Sequence, residues 1–227
     1  MPTNRTTTEG KVPSRRDWWQ TVRQTLPHAA RVVRHLRPTF RLSSLAELTP
    51  EFIRRNGIRA LLWDVDGTLT HYHGRDLAPE AGGPASRLFD LPDLRHAVVS
   101  NCDDIRFAEL GRMLPGMPVL KLYESGDQIY GRRLEGGIET WRPEPADPAH
   151  LSAIRKPNPD LIRFAVAELG VELTGVAMVG DQNWTDIAGA NMAGIRSIRV
   201  PTAGPSTFPW PLRIMQRIEG WMQRDGG

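Results

Sequence analysis

The sequence predicts an α/β fold: a parallel, doubly wound sheet with helices on both faces. Short apolar runs at about 58–65, 96–99, 117–122, 175–179 and 195–200 alternate with helical stretches, the trace that successive strand–helix–strand units leave. Acidic or hydroxyl residues follow the carboxyl ends of these runs, where such a sheet places its ligand site. With 227 residues and 40% hydrophobic content, the chain can bury one sizeable core, so one domain with appendages is expected.

The first element is a basic arm over residues 1–40. Up to Arg41 there are nine basic residues (Arg5, Lys11, Arg15, Arg16, Arg23, Arg31, Arg34, Arg37, Arg41) against Glu9 and Asp17, giving +7 in a chain whose net charge is +3, so the remainder carries −4. The Thr, Pro and Gly content of residues 1–12 predicts disorder. Ser14 with Asp17 reads as a capping box, Pro27 as the start of a second helix and Pro38 as its stop. Trp18, Trp19, Val22, Leu26, Val32, Val33 and Leu36 supply apolar positions among the arginines. A basic amphipathic helix with tryptophan fits a membrane surface; packing on its own domain is the competing reading.

The domain proper spans 41–204. Its most informative stretch is Leu61-Leu62-Trp63-Asp64-Val65-Asp66-Gly67-Thr68-Leu69-Thr70. Asp64 and Asp66 are two apart at a strand end and share a face, and Gly67 lets the backbone turn sharply after them, so both acids can converge on a small anion. A calcium loop would need further acidic ligands, but Leu69, Thr70, His71 and Tyr72 follow. The second strand, Ala97-Val98-Val99, ends in Ser100-Asn101, and Asp103-Asp104 open a helix to about Leu114. A hydroxyl beside a helix amino terminus suits phosphate oxygens, though Ser-Asn also serves as an ordinary cap.

Residues 122–155, punctuated by Gly126, Gly131, Gly136, Gly137, Pro143, Pro145 and Pro148, read as an inserted loop, or else a hairpin flap using Trp141. Next comes Lys156-Pro157-Asn158-Pro159-Asp160: Asn158 caps a helix, Pro159 fits its first position and Gly170 ends it. Only Lys11, Lys121 and Lys156 are lysines among 29 basic residues, so a compact ammonium at this point suits a transferring phosphoryl group; a solvated lysine is the bland alternative. The fourth strand, Val176-Ala177-Met178-Val179, runs through Gly180 into Asp181 and Asp186, and a helix follows to about Gly194. Two acids near one point can supply the hard oxygen ligands of a magnesium site, or cap a helix.

The tail, residues 205–227, interleaves Phe208, Trp210, Leu212, Ile214, Met215, Ile218, Trp221 and Met222 with Arg213 and Arg217. Four of the seven tryptophans fall in the two end segments, where amphipathic rings suit a bilayer interface. No run approaches the roughly 18 apolar residues of a membrane span, and no apolar signal-peptide core precedes residue 40. A lone Cys102 rules out an intrachain disulfide framework and fits a reducing compartment. His71 and His73 lack a paired acid and read as solvated.

The order Asp64-Val65-Asp66-Gly67-Thr68, Ser100, Lys156, Asp181 through Asp186 resembles the four motifs of the haloacid dehalogenase (HAD) superfamily of phosphatases. Gly180-Asp181-Gln182 through Thr185-Asp186, with Gly189 and Asn191, resembles its type IIIA branch, which includes phosphatidylglycerophosphate phosphatases; Ala190 and Met192 depart from that branch. The resemblance implies a HAD-like Rossmannoid fold without a large cap domain. It implies Asp64 as nucleophile, Asp66 as general acid and base, and Ser100 and Lys156 as holders of the phosphoryl oxygens. Gly67, Thr68 and Asn101 join the expected phosphate-binding set. Mg²⁺ is expected on Asp64, the Asp66 carbonyl, Asp181 and Asp186.

The function expected is phosphomonoester hydrolysis, with phosphatidylglycerophosphate as substrate and the enzyme peripheral on the cytoplasmic face of an anionic membrane. A soluble sugar or nucleotide phosphatase is the alternative enzyme. RNA or ribosome binding on a HAD scaffold is the alternative of another class, and a mitochondrial transit peptide the weaker reading of the arm.

Overall fold

The structure, a computed structural model, describes residues 32–205. The readings of the amino-terminal arm before residue 32 and of the tail after residue 205 lie outside the described residues.

Among the described residues nine strands form one sheet: β1 (Phe40–Arg41), β2 (Ala60–Trp63), β3 (Arg95–Val99), β4 (Val119–Ser125), β5 (Gln128–Glu135), β6 (Ile138–Arg142), β7 (Ser152–Ile154), β8 (Val176–Gly180) and β9 (Arg196–Arg199). Their order is β1-β9-β8-β2-β3-β4-β5-β6, with β7 on β4, and pairing is parallel from β1 through to β4. Among the described residues five α-helices accompany them: α1 (Pro50–Arg55), α2 (Pro79–Phe89), α3 (Asp104–Met113), α4 (Pro159–Leu169) and α5 (Ala188–Ala193). No helix among the described residues is long and apolar enough to cross a membrane.

Side-chain alternation along the central strands builds two cores. Leu61 and Trp63 of β2 face one side with Val98, Ala177 and Val179, against Ile53 of α1, Ala85 and Leu88 of α2 and Phe107 and Leu110 of α3. Ala60 and Leu62 face the other with Val99 and Met178, against Leu161, Ile162 and Val166 of α4 and Ala190 of α5. Helices therefore cover both faces, as the sequence predicts. The chain runs outward from β2 through β3 to β4, then returns to β8 on the other side of β2 and continues outward to β9. The crevice at the carboxyl ends of β2 and β8 is thus the switch point of the sheet, where such folds bind ligands.

Of the two readings of residues 122–155, loop or hairpin, the described strands favour the hairpin. The segment is an antiparallel meander that continues β4 into β5 and β6 and returns as β7. Three of the glycines that interrupt its periodicity are turn residues, Gly126 between β4 and β5 and Gly136 and Gly137 between β5 and β6; Gly131 lies within β5, where a Cβ would run into the Phe164 ring. Trp141 packs 5.3 Å from Tyr123, and the Arg132 guanidinium lies between Trp141 (5.1 Å) and Phe107 (4.5 Å). β4 pairs with β3 at Val119 and Leu120 and with β7 from Leu122 on, so β7 prolongs the line of β3 and delivers Lys156 to its carboxyl end.

His96 of β3 supplies a stability prediction. The Trp63 indole N–H donates to its Nδ1 (3.0 Å), and Nε2 contacts the Leu88 carbonyl (3.1 Å), an arrangement that fits the neutral ring. Burial lowers its pKa to about 4. The folded chain therefore holds this proton more weakly than the unfolded chain, and the contribution is complete above about pH 6.5 and lost as pH falls toward 4. Unfolding free energy should drop by about 2–3 kcal/mol from this group across that window. Urea titrations at pH 7, 5.5 and 4.5 should show His96→Gln losing one proton's worth of slope; an unchanged acid slope would refute the assignment.

Candidate active site

The carboxyl end of β2 is tied to β8 by the Asp64 amide, which donates to the Val179 carbonyl (3.0 Å). The chain then folds over itself: the amides of Thr68, Leu69 and Thr70 all donate to the Val65 carbonyl, and Gly67, at φ 91°, donates to the Thr70 carbonyl. This compact turn fixes Asp64 and Asp66 at the mouth of the crevice.

Lys156 arrives from β7 and is 1% exposed. Its Nζ donates to Asp64 Oδ1 (2.7 Å) and to Asp186 Oδ1 (2.6 Å). Asn101 holds its backbone at both ends, donating from Nδ2 to the Lys156 carbonyl (2.9 Å) and accepting the Lys156 amide at Oδ1 (2.8 Å).

Asp181 follows β8 directly and accepts from the Thr202 hydroxyl (2.8 Å). Asp186 is brought back by a π-helical turn, Asn183–Ile187, a geometry frequent at functional sites. Its Oδ2 accepts the Gln182 amide (3.0 Å). Gly180 allows this return, because a Cβ there would run into the Asp186 carboxylate. Gly180→Ala should displace Asp186, lower turnover at least about tenfold and cost about 1–3 kcal/mol of stability. Parallel activity and denaturation measurements test this; near-normal values for both would refute it.

Asp64, Asp181 and Asp186 each place a carboxylate oxygen within 4.8 Å of the others. Burial above all, with Asp186 adding to it and Lys156 opposing, pushes the Asp64 carboxyl up to about 7. Burial, then Asp64 and Asp186, hold Asp181 well above the usual carboxylate range. Three buried carboxylates thus face a single ammonium, an excess of negative charge that a hard divalent cation would balance.

The structure therefore brings Asp64, Lys156, Asp181 and Asp186 together and sets Asp66 on the adjoining turn. Ser100 directly follows β3 and is 7% exposed. Gly67, Thr68 and Asn101, expected to face the phosphate, have protein partners in this structure. The Gly67 and Thr68 amides are spent inside the turn, the Thr68 hydroxyl contacts Asp64 Oδ2 (3.4 Å), and the Asn101 side chain is committed to Lys156. His71 meets Glu80 at 3.4 Å, while His73 contributes its backbone amide to Asp66 Oδ1 (3.1 Å). Cys102 lies close by, but burial pushes its thiol up to about 11, so it is neutral and unreactive near pH 7.

Sequence reading missed Arg106. On α3 and 2% exposed, it donates through Nη2 to Asp66 Oδ1 (2.8 Å). One arginine on an amphipathic helix of an arginine-rich chain carries no distinguishing signal.

Residues 153–206, which include Lys156, Asp181 and Asp186, match the HAD-hydrolase-like family model. No protein with curated annotation matches significantly. Among solved structures, the chain is similar to an uncharacterized protein from Listeria monocytogenes serotype 4b, at 17% identity over 74% of this chain and 99% of that one, with a TM-score of 0.37. It is also similar to a 4-nitrophenylphosphatase from Thermotoga maritima, at 17% identity over 70% of this chain and 91% of that one, with a TM-score of 0.30. The fold is Rossmannoid, a largely parallel sheet covered on both faces, and its last part matches the HAD-hydrolase-like model.

Proposed function

We propose that this chain is a Mg²⁺-dependent phosphomonoester hydrolase that works through an aspartyl-phosphate on Asp64, and that its substrate is phosphatidylglycerophosphate. The observation that carries the reading is the convergence of three buried carboxylates and one buried ammonium at the sheet's switch point.

In this reading an Asp64 oxygen attacks phosphorus in line with the departing oxygen. Lys156 and the Ser100 hydroxyl hold phosphoryl oxygens and offset their charge. Asp66 gives its proton to the leaving alkoxide, then takes one from the water that hydrolyses the acyl phosphate. A dehalogenase of the superfamily needs no general acid at that position, whereas a phosphatase does. Asp64, Asp181 and Asp186 would hold Mg²⁺, with the Asp66 backbone carbonyl, and the ion would neutralise charge on the phosphoryl group.

Support for a lipid substrate comes from access and charge. The link from β2 to α2, residues 64–78, contains no cap domain, which leaves room for a phosphate on a large body. The arm's +7 and the tryptophans of both ends suit an anionic surface.

Phosphate release from phosphatidylglycerophosphate in mixed micelles, beside soluble sugar and nucleotide phosphomonoesters, tests the reading. Wild type should cleave the lipid selectively with Mg²⁺, and EDTA should abolish turnover. Cleavage of soluble esters alone would refute the lipid assignment and leave the chemistry. Absence of any cleavage would refute the enzyme and favour a binding scaffold.

A further inference from the structure

Asp66 has its own set of partners, separate from the Lys156 cluster. Its Oδ1 accepts from the Thr70 hydroxyl (3.3 Å), the His73 amide (3.1 Å) and Arg106 Nη2 (2.8 Å). The same Nη2 donates to the Gly74 carbonyl (2.7 Å), and Nη1 reaches Glu109 at 3.2 Å. A guanidinium on a helix is ordinarily solvated, so one that is 2% exposed is held by its partners. Two of those partners lie on the segment that follows the nucleophile, and Asp103, the cap of α3, accepts the Arg106 amide (2.7 Å) and fixes the first turn that carries the side chain. Arg106 thus supplies one donor to Asp66 directly. By pinning Gly74 it also steadies its neighbour His73, whose amide, at φ 53°, is the next donor.

We propose that Arg106 is a positioning residue that fixes the Asp66 carboxyl where it serves the leaving oxygen; this rests on the phosphatase reading above. In the first step the Asp64 O–P bond forms, the ester P–O bond breaks, and the Asp66 proton passes to the departing oxygen to give the alcohol. The demand for that proton depends on the leaving group: an alkoxide needs it, whereas 4-nitrophenolate departs largely unaided. A residue that acts through Asp66 must therefore matter more for alkyl than for aryl esters. One that merely supports the fold would affect both alike.

The test compares kcat/KM for an alkyl phosphate and for 4-nitrophenyl phosphate in wild type, Arg106→Ala and Arg106→Lys, with Mg²⁺ and with melting curves for each protein. Because kcat/KM reports events only through the first irreversible step, hydrolysis of the intermediate does not obscure it. Arg106→Ala should lose about 30-fold or more on the alkyl ester and less than about 5-fold on the aryl ester, with KM nearly constant, and added guanidinium should restore the alkyl activity selectively. If the alanine variant does not fold, Arg106→Lys carries the comparison, because it keeps a cation but loses the fork that spans Asp66 and Gly74. Equal losses on both esters, or no loss, would overturn the proposal while the phosphatase reading stands. A wild type that cleaves neither ester would overturn both.

Discussion

Lys156→Met should destabilise the protein by about 3–5 kcal/mol and reduce turnover by about 10²–10³-fold. The side chain is 1% exposed and bonds Asp64 and Asp186 at 2.7 and 2.6 Å. Methionine keeps much of the volume and removes the charge, so Asp64 and Asp186 lose the ammonium that bonds both. Burial works against the ammonium, yet Asp186 and Asp64 together hold its pKa above the ordinary lysine value. A raised lysine pKa means that the stabilisation is complete below the unfolded value and lost only in strong alkali, so neutral pH is the place to measure it. Urea unfolding at pH 7 without divalent ions should show the full loss, and added Mg²⁺ should recover part of it by taking over the charge balance. A variant as stable as wild type would refute this account of the cluster.

Asp64→Asn should remove roughly 10³-fold or more of the activity while leaving the protein as stable as wild type, or more so, at pH 7. Burial leads the rise of the Asp64 carboxyl to about 7. Because the folded chain binds this proton more tightly than the unfolded chain, stability from the group falls as pH rises from about 4 to about 7. Asparagine fills the same space without that penalty. Melting curves at pH 4, 5.5 and 7 should show the variant gaining on wild type as pH rises; a clear loss at pH 7 would mean that the ionised carboxylate stabilises the fold.

Both predictions concern residues that are visible in the sequence, and the reason is physical. A strand buried on both faces reads as an apolar run, so the first polar residues after it, Asp64, Ser100 and Asp181, stand out at the end where the fold binds ligands. Asn158, Pro159 and Gly170 punctuate α4 where expected. The two-residue β1 escapes because it is too short to show periodicity. The meander of residues 122–155 is only half legible: its turn glycines and prolines read as loop signals, while the hairpin alternative is met where β4 and β5 pair across Gly126-Asp127. Asn101 also holds the Lys156 backbone, a contact across 55 positions that no sequence window shows. Arg106 is set by Asp66 and Gly74, far away in sequence, and its own helix gives no hint of burial.

The place of β2 also carries a kinetic consequence. It pairs early with β3, Ala60 against Arg95, but its other neighbour is β8, where Ala60 meets Val176. During synthesis, therefore, an entirely apolar strand keeps one edge open until most of the domain has emerged, a long-range closure of the kind that slows folding and invites misassembly. The same event that seals that edge brings Asp181 and Asp186 to Asp64. A nascent chain gains its carboxylate cluster only as it loses its most exposed edge, so catalytic competence and protection from aggregation arrive in one step.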